Sequence, residues 1–267
     1  MANILKPLSG SATAVARANV RRGAPNTSAP ISRRLEKEAA IGVLGLTSGE
    51  AVAGQSDWYV AAPGPPDGPD EYVWAGALRA PTGGFESVGS TAPCHRRADG
   101  TVQNLSISDI QALYGAFKWT EGVGGAITPD PAWAKANIVR FLWPGVAAGA
   151  GATLWVHTKA KPHFAAVIAA ISDAGLTSSV LTFDGSYVPR HMGWTPGRAL
   201  SSHSWGIAID INVRWNAYGV EPALLGAVGS VRQLVALFEA EGFAWGGRFQ
   251  PDKLRDGMHF ELARTDV

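Results

Sequence analysis

Residues 200–212 read LSSHSWGIAIDIN. Alternation with a period of two sets Ala208, Asp210 and Asn212 on one face of a strand and Ile207, Ile209 and Ile211 on the other. The isoleucines belong in a core, so the opposite face carries an aspartate through an apolar segment. A carboxylate there is unfavourable unless it meets a partner, and the face should therefore open toward a cleft. His203 lies seven residues ahead of Asp210. A second string of the same kind, RDGMHFEL at 255–262, sets Asp256 three residues ahead of His259 at the start of another strand.

Working outward, helix signals alternate with strand-like pieces. Ser106 precedes ISDIQALYGAF, and Asp130-Pro131 places a cap and a first-turn proline before AWAKANIVRFLW, which Pro144 ends. KPHFAAVIAAISDAG closes at Gly175, and Ser230 with Gln233 forms a capping-box pattern ahead of VRQLVALFEAEG. Between them ATLWVH, SSVLTF, GIAIDINV and MHFEL read as strands. Helices mixed with several strands predict an α+β domain over 96–267. Residues 10–80 differ in texture: short apolar pieces broken by Gly, Pro, Asn and Ser, with no helical period, predict a small all-β barrel or sandwich. Residues 81–95, PTGGFESVGSTAPCH, read as a linker.

Composition narrows the function. The 267 residues are 46% hydrophobic and 17% charged, enough for a real core. A net charge of +1 gives no electrostatic case for nucleic acid or an anionic membrane. The single cysteine, Cys94, excludes an internal disulfide. No apolar run reaches the roughly 18 residues of a membrane span. The amino terminus lacks the continuous apolar stretch of a secretory signal, so a protein acting outside the cytoplasm would need another route of release.

The chemistry sits in the two strings. Two imidazoles and a carboxylate make a three-ligand zinc site with an open fourth position, and a further carboxylate beside it can take a proton from water. A lone His-x6-Asp or Asp-x2-His is common in purely structural settings; the full strings are more specific. SSHSWGIAID fits Ser-x-His-x-x-Gly-x-Ala-x-Asp, and DGMHFE fits Asp/Glu-x-x-His-Phe-Glu. Together they resemble the zinc peptidases that include VanY-type D-alanyl-D-alanine carboxypeptidases, VanX-type dipeptidases and phage L-alanyl-D-glutamate endopeptidases, with the hedgehog/D-Ala-D-Ala peptidase-like α+β fold. The resemblance spans roughly 96–264, and GFAWGG and DGSYVPR share the family's style. It implies that His203, Asp210 and His259 bind zinc, that Asp256 is the general base and then acid, and that Arg190 steadies an oxyanion or a substrate carboxylate. Ser201 would support the site or contact substrate, Tyr187 would line the cleft, and Glu261 would orient a ligand imidazole. His95, His157, His163 and His191, without a paired ligand at short spacing, read as core or surface histidines.

Upstream, ANVRRGAPNTSAPI, DWYVA and YVWAGAL resemble bacterial SH3-like domains, which commonly bind cell-wall polymers. That resemblance makes Trp58, Tyr59 and Trp74 candidate wall-binding rings, with barrel core as the alternative. The expected protein is thus a monomeric peptidoglycan hydrolase that cuts the peptide stem. Asp at 256, where many carboxypeptidases carry Glu, leans toward the phage endopeptidases. A D-alanyl-D-alanine carboxypeptidase and a non-catalytic, zinc-containing wall-binding protein are the alternatives. With no export signal, the resemblance implies an enzyme held in the cytoplasm until holin-type release, or carried on a virion.

Overall fold

The structure is a computed structural model that describes residues 6–61, 71–79, 86–87, 92–97, 101–147, 149, 151–223 and 227–267. The chain divides into two compact units, Met1–Thr91 with Ala223–Ala236 and Ala92–Pro222 with Leu237–Val267.

The first unit is antiparallel β. Its strands are β1 (Lys6–Ala14), β2 (Ala18–Arg22), β3 (Ile31–Leu35), β4 (Ala40–Val52), β5 (Gln55–Ala61), β6 (Glu71–Trp74), β7 (Leu78–Arg79) and β8 (Glu86–Ser87). They pair in the order β3-β2-β6-β5-β4-β1-β7, with β8 also on β1. The all-β expectation holds, but the sheet stays open: its ends, β3 and β7, are not paired with each other among the described residues. Alternation along β5 and β6 buries both faces. Ala61 and Val73 join the apolar cluster of Val20, Leu35 and Ile41, while Trp58, Val60 and Tyr72 pack together on the other side. Trp58 is 2% exposed and donates its indole N–H to the Glu50 carbonyl, so its ring is core and closed to a wall polymer. Tyr59 packs against the first cluster and Trp74 against the second, each only partly buried. Of the expected linker, 81–85 and 88–91 lie outside the described residues, and Glu86–Ser87 is the edge strand β8.

The second unit mixes helices and strands: α1 (Ile107–Tyr114), β9 (Trp119–Glu121), β10 (Ile127–Pro129), α2 (Pro131–Asn137), β11 (Ile138–Trp143), β12 (Ala152–His157), α3 (Lys161–Asp173), β13 (Phe183–Gly185), β14 (Ala208–Ile211) and α4 (Val213–Asn216). Then α5 (Arg232–Ala240), which straddles the division between the units, is followed by β15 (Phe243–Trp245) and β16 (His259–Leu262). Ser106 caps α1 in a reciprocal capping box with Asp109. Asp130 caps α2 with Pro131 in its first turn, but the helix ends at Asn137 rather than running on to Trp143. Ile138, Val139 and the following Phe, Leu and Trp prefer a pleated strand, and they pair residue for residue with β12. SSVLTF also departs from expectation: Thr177–Ser179 is a single 3-10 turn and only Phe183 enters a strand.

The central sheet runs β13-β14-β16-β15, antiparallel throughout. Ile209, Ile211, Phe243, Phe260 and Leu262 are buried in its core, and Phe238 of α5 stacks on Phe260 with ring centroids 4.1 Å apart. Asn212 is not the outermost cleft residue that alternation suggested. It leaves the strand in a left-handed conformation (φ 56°), and its side-chain amide accepts from the Leu181 and Thr182 N–H groups and donates to the Ser179 carbonyl. No helix among the described residues is long and apolar enough to cross a membrane.

Candidate metal centre

Strand pairing builds the site. β14 and β16 run in a register that sets Asp210 directly opposite His259, and Ala208 opposite Glu261, so these side chains share one face of the sheet. His203 arrives from the 3-10 turn Ser202–Trp205, which closes on Gly206 in the left-handed region (φ 66°). Three donor atoms then meet. His203 Nε2 is 3.1 Å from Asp210 Oδ1 and 3.1 Å from His259 Nδ1, and His259 Nδ1 is 3.0 Å from Asp210 Oδ1. The three residues form a buried possible metal site.

The outer hydrogen bonds fix the tautomers. His203 Nδ1 donates to the Ser186 carbonyl at 2.8 Å, which turns the Nε2 lone pair inward. His259 Nε2 donates to Glu261 Oε2 at 3.1 Å and so turns Nδ1 inward. Two imidazole lone pairs and a carboxylate oxygen therefore point at one spot. Acceptors so placed repel one another unless a cation sits among them. Burial alone would strip His259 of its proton, yet hydrogen bonds to Asp210 and Glu261 hold its pKa well above the usual value. Burial works against the charge on Asp210 too, and the two imidazoles overcome it and keep that carboxyl far below its ordinary range. His203 has its affinity for a proton lowered, chiefly by burial. The donor set fits zinc: donors at roughly 2.0–2.1 Å from a tetrahedral ion stand about 3.3 Å apart, close to the spacing seen here.

Two groups beside this triangle have unfilled hydrogen-bonding capacity. Asp256 Oδ1 is buried with no hydrogen-bond partner, and burial pushes its carboxyl up to about 6. Asp256 reaches the site because its backbone N–H bonds the Gly246 carbonyl while its own carbonyl accepts from His259 N–H. Gly246 admits this crossing. A Cβ on it would stand 2.4 Å from the Asp256 carbonyl oxygen, 3.0 Å from the Asp256 Cβ and 3.1 Å from the His259 Cβ. Arg190 is the second group. Its Nη1 donates to Ser201 Oγ at 3.3 Å and to the Val188 carbonyl at 3.4 Å; Nη2 stands 4.0 Å from Asp210 Oδ2, too far for a hydrogen bond, and the buried Nε has no partner. Burial lowers its pKa, opposed by Asp210 and Asp256.

Of the residues singled out in the sequence, Ser201 supports Arg190 and Glu261 supports His259. Tyr187 lines a surface pocket with Ala134, Lys135, Ile138 and Trp155, and its neighbour Ser186 bonds His203 through its carbonyl. Trp205 and Trp245 are buried, each donating to a backbone carbonyl, of Gly115 and Gly257. His157 is likewise a core histidine, bonded to the Tyr114 carbonyl and the Lys159 N–H. Two contributors escaped the sequence reading. Ser186 acts through its carbonyl, which no side-chain pattern reveals. Ser204 accepts from the Arg190 N–H at 3.0 Å and donates to the Arg190 carbonyl at 3.1 Å, and its place inside the SSHSW string was the available signal.

The second unit is thus an α+β unit with a buried possible metal site of His203, Asp210 and His259, flanked by a carboxylate oxygen and a guanidinium nitrogen left unpaired. That is the equipment of a metal-dependent hydrolase. Residues 195–262, which carry every member of the set except Arg190, match a family described as D-alanyl-D-alanine carboxypeptidase. The match covers about a quarter of the chain, and at the level of that family it supports a metallopeptidase that acts on peptidoglycan. No curated protein and no solved structure matches the chain.

Proposed function

We propose that the protein is a zinc-dependent peptidase that cuts the peptide stem of peptidoglycan. The observation that carries the reading is the buried donor triangle with an unpaired carboxylate oxygen of Asp256 and an unpaired guanidinium nitrogen of Arg190 beside it. His203, Asp210 and His259 would hold the ion, which supplies Lewis-acid polarisation of a carbonyl and activation of water at neutral pH. Asp256 takes a proton from the attacking water and returns it to the departing amine nitrogen. Burial pushes that carboxyl up to about 6 and an ion beside it would lower the value from there, so the group is ionised and ready to take a proton near neutral pH. Arg190 presents Nε and Nη2 as a fork toward negative charge, either on the carbonyl oxygen as it is attacked or on a substrate carboxylate. Ser201 and Ser204 hold that arginine, and Glu261 with the Ser186 carbonyl holds the two imidazoles.

Replacing Asp256 with Ala should cut peptide release from purified walls by about 10²–10⁴-fold while zinc remains bound. An unchanged rate would sink the mechanism. Within the peptidase class, Asp at 256 favours an L-alanyl-D-glutamate endopeptidase of the phage-lysin kind, and the Arg190 fork, with its Nε unpaired, suits the terminal carboxylate a D,D-carboxypeptidase must grip. Product analysis decides: new amino-terminal D-Glu supports the first and free D-Ala the second. A wall-binding protein that keeps zinc for stability would show binding without cleavage. The first unit is read as the wall-binding part, a reading that rests on its sequence resemblance.

A further inference from the structure

His191 follows Arg190 in the chain, and its side chain is 5% exposed. Its Nδ1 faces the Arg198 carbonyl oxygen, and its Nε2 faces both carboxylate oxygens of Glu121, at 3.1 and 3.0 Å. All of these are acceptors only. A neutral imidazole carries one N–H and would turn a lone pair on one of the two partners, so the arrangement calls for both ring protons.

What this imidazolium joins is the segment that carries Arg190. On one side the β9–β10 hairpin runs along it, with Ile127 N–H on the Pro189 carbonyl, His191 N–H on the Gly125 carbonyl and a bridge between Ala126 and Arg190. On the other side the chain turns through 192–199 and returns, with Met192 N–H on the Ala199 carbonyl and a bridge from His191 to Leu200. Trp194 in that turn packs on the Arg190 guanidinium, 5.3 Å from its ring centroid. The ring of His191 ties the hairpin, through Glu121, to the turn, through Arg198.

We infer that His191 is a positioning residue, a charged staple that fixes Arg190 and Trp194 between hairpin and turn, so that the set of the arginine fork depends on the second proton of His191. This rests on the peptidase reading only for its activity readout. The charged groups around the ring are Glu121 on the hairpin, Arg190 beside it in the chain and Arg198 in the turn. The Arg198 carbonyl, and after it Glu121, raise the pKa of His191, with burial opposing them. A group that binds its proton more tightly folded than unfolded stabilises fully below its ordinary value of about 6.5, and that contribution is lost as pH rises through the raised value. The staple therefore opens on the alkaline side.

Imidazole nitrogen NMR on the full chain, with His191→Gln to assign the signal, tests it directly. His191 should keep both ring protons to a higher pH than an unfolded-chain histidine does, and Glu121→Gln should move its titration to lower pH. Protection of the Arg190 and His191 amides, corrected for intrinsic exchange, should fall through the same pH, and the alkaline limb of kcat/KM should move with it in Glu121→Gln. A His191 that titrates at or below the unfolded-chain value, or amide protection that ignores its titration, would overturn the inference. If the chain cleaves no peptide, the peptidase reading fails while NMR and exchange still judge the staple.

Discussion

Asp256 is the residue on which stability and function pull apart. Its ionised form is disfavoured by burial and has no hydrogen bond at Oδ1, so a metal-free fold carries it at a cost that builds as pH rises from the ordinary 3.8 to about 6 and is full above that. A shift from 3.8 to about 6 corresponds to roughly 3 kcal/mol as a ceiling. Asp256→Asn should therefore stabilise the metal-free protein in urea at pH 7.5, by an amount up to that ceiling, while abolishing cleavage. A destabilised Asn variant would mean the carboxylate has a stabilising partner. The base must be ionised to work, and a nearby divalent cation can only pull its pKa down. The acid limb of kcat/KM is thus expected at or below about pH 6, and a midpoint above 7 would assign the limb to another group. At this scale the sequence was informative where a side chain does the work. His203, Asp210 and His259 stood in two recognisable strings and come together as those strings implied. Ser186 was invisible because its carbonyl does the work, and His191 because its acceptors lie 70 residues upstream and on a backbone oxygen.

Strands and turns decide whether those side chains meet. Gly246 lets the Asp256 backbone cross over the start of β16, and a methyl there overlaps the Asp256 carbonyl at 2.4 Å. Gly246→Ala should cost about 1–3 kcal/mol in stability and weaken zinc binding about 10–100-fold by parting Asp256 from His259, measured by chelator competition. Wild-type affinity in that variant would show that the crossing has slack. Gly206 matters for a different reason: its φ of 66° closes the turn that presents His203. Periodicity and caps made α1, α3 and the strand around Asp210 legible. The break between α2 and β11 was not, since IVRFLW satisfies a helical apolar pattern, and its β-branched and aromatic residues tip it to a strand once β12 is there to pair with. Long-range pairing also decided Asn212, whose amide is committed to three backbone groups.

In the molecule as a whole, the texture change near residue 80 announced two kinds of structure, and both kinds are present. The first unit's strands could be read from short apolar pieces. Their pairing could not, because a two-residue period says which side chains share a face and nothing about which strand lies beside which. Hence the open sheet in place of a closed barrel, and of the two readings of Trp58 the burial favours core. The three candidate metal ligands lie within the second unit, so an ion bound there should stabilise that unit by mass action. Zinc at 100 times its dissociation constant adds about 2.7 kcal/mol, and calorimetry should show the second unit's transition moving with zinc and chelator. Alanine at His203, Asp210 or His259 should remove that response. If this centre is a zinc peptidase site, mass spectrometry of fragments released from defined peptidoglycan will show it. The zinc-loaded chain should release products of peptide-bond cleavage, stop after chelation and recover when zinc is restored. Intact stems after incubation with the zinc-loaded chain, or cleavage indifferent to chelator, would contradict it.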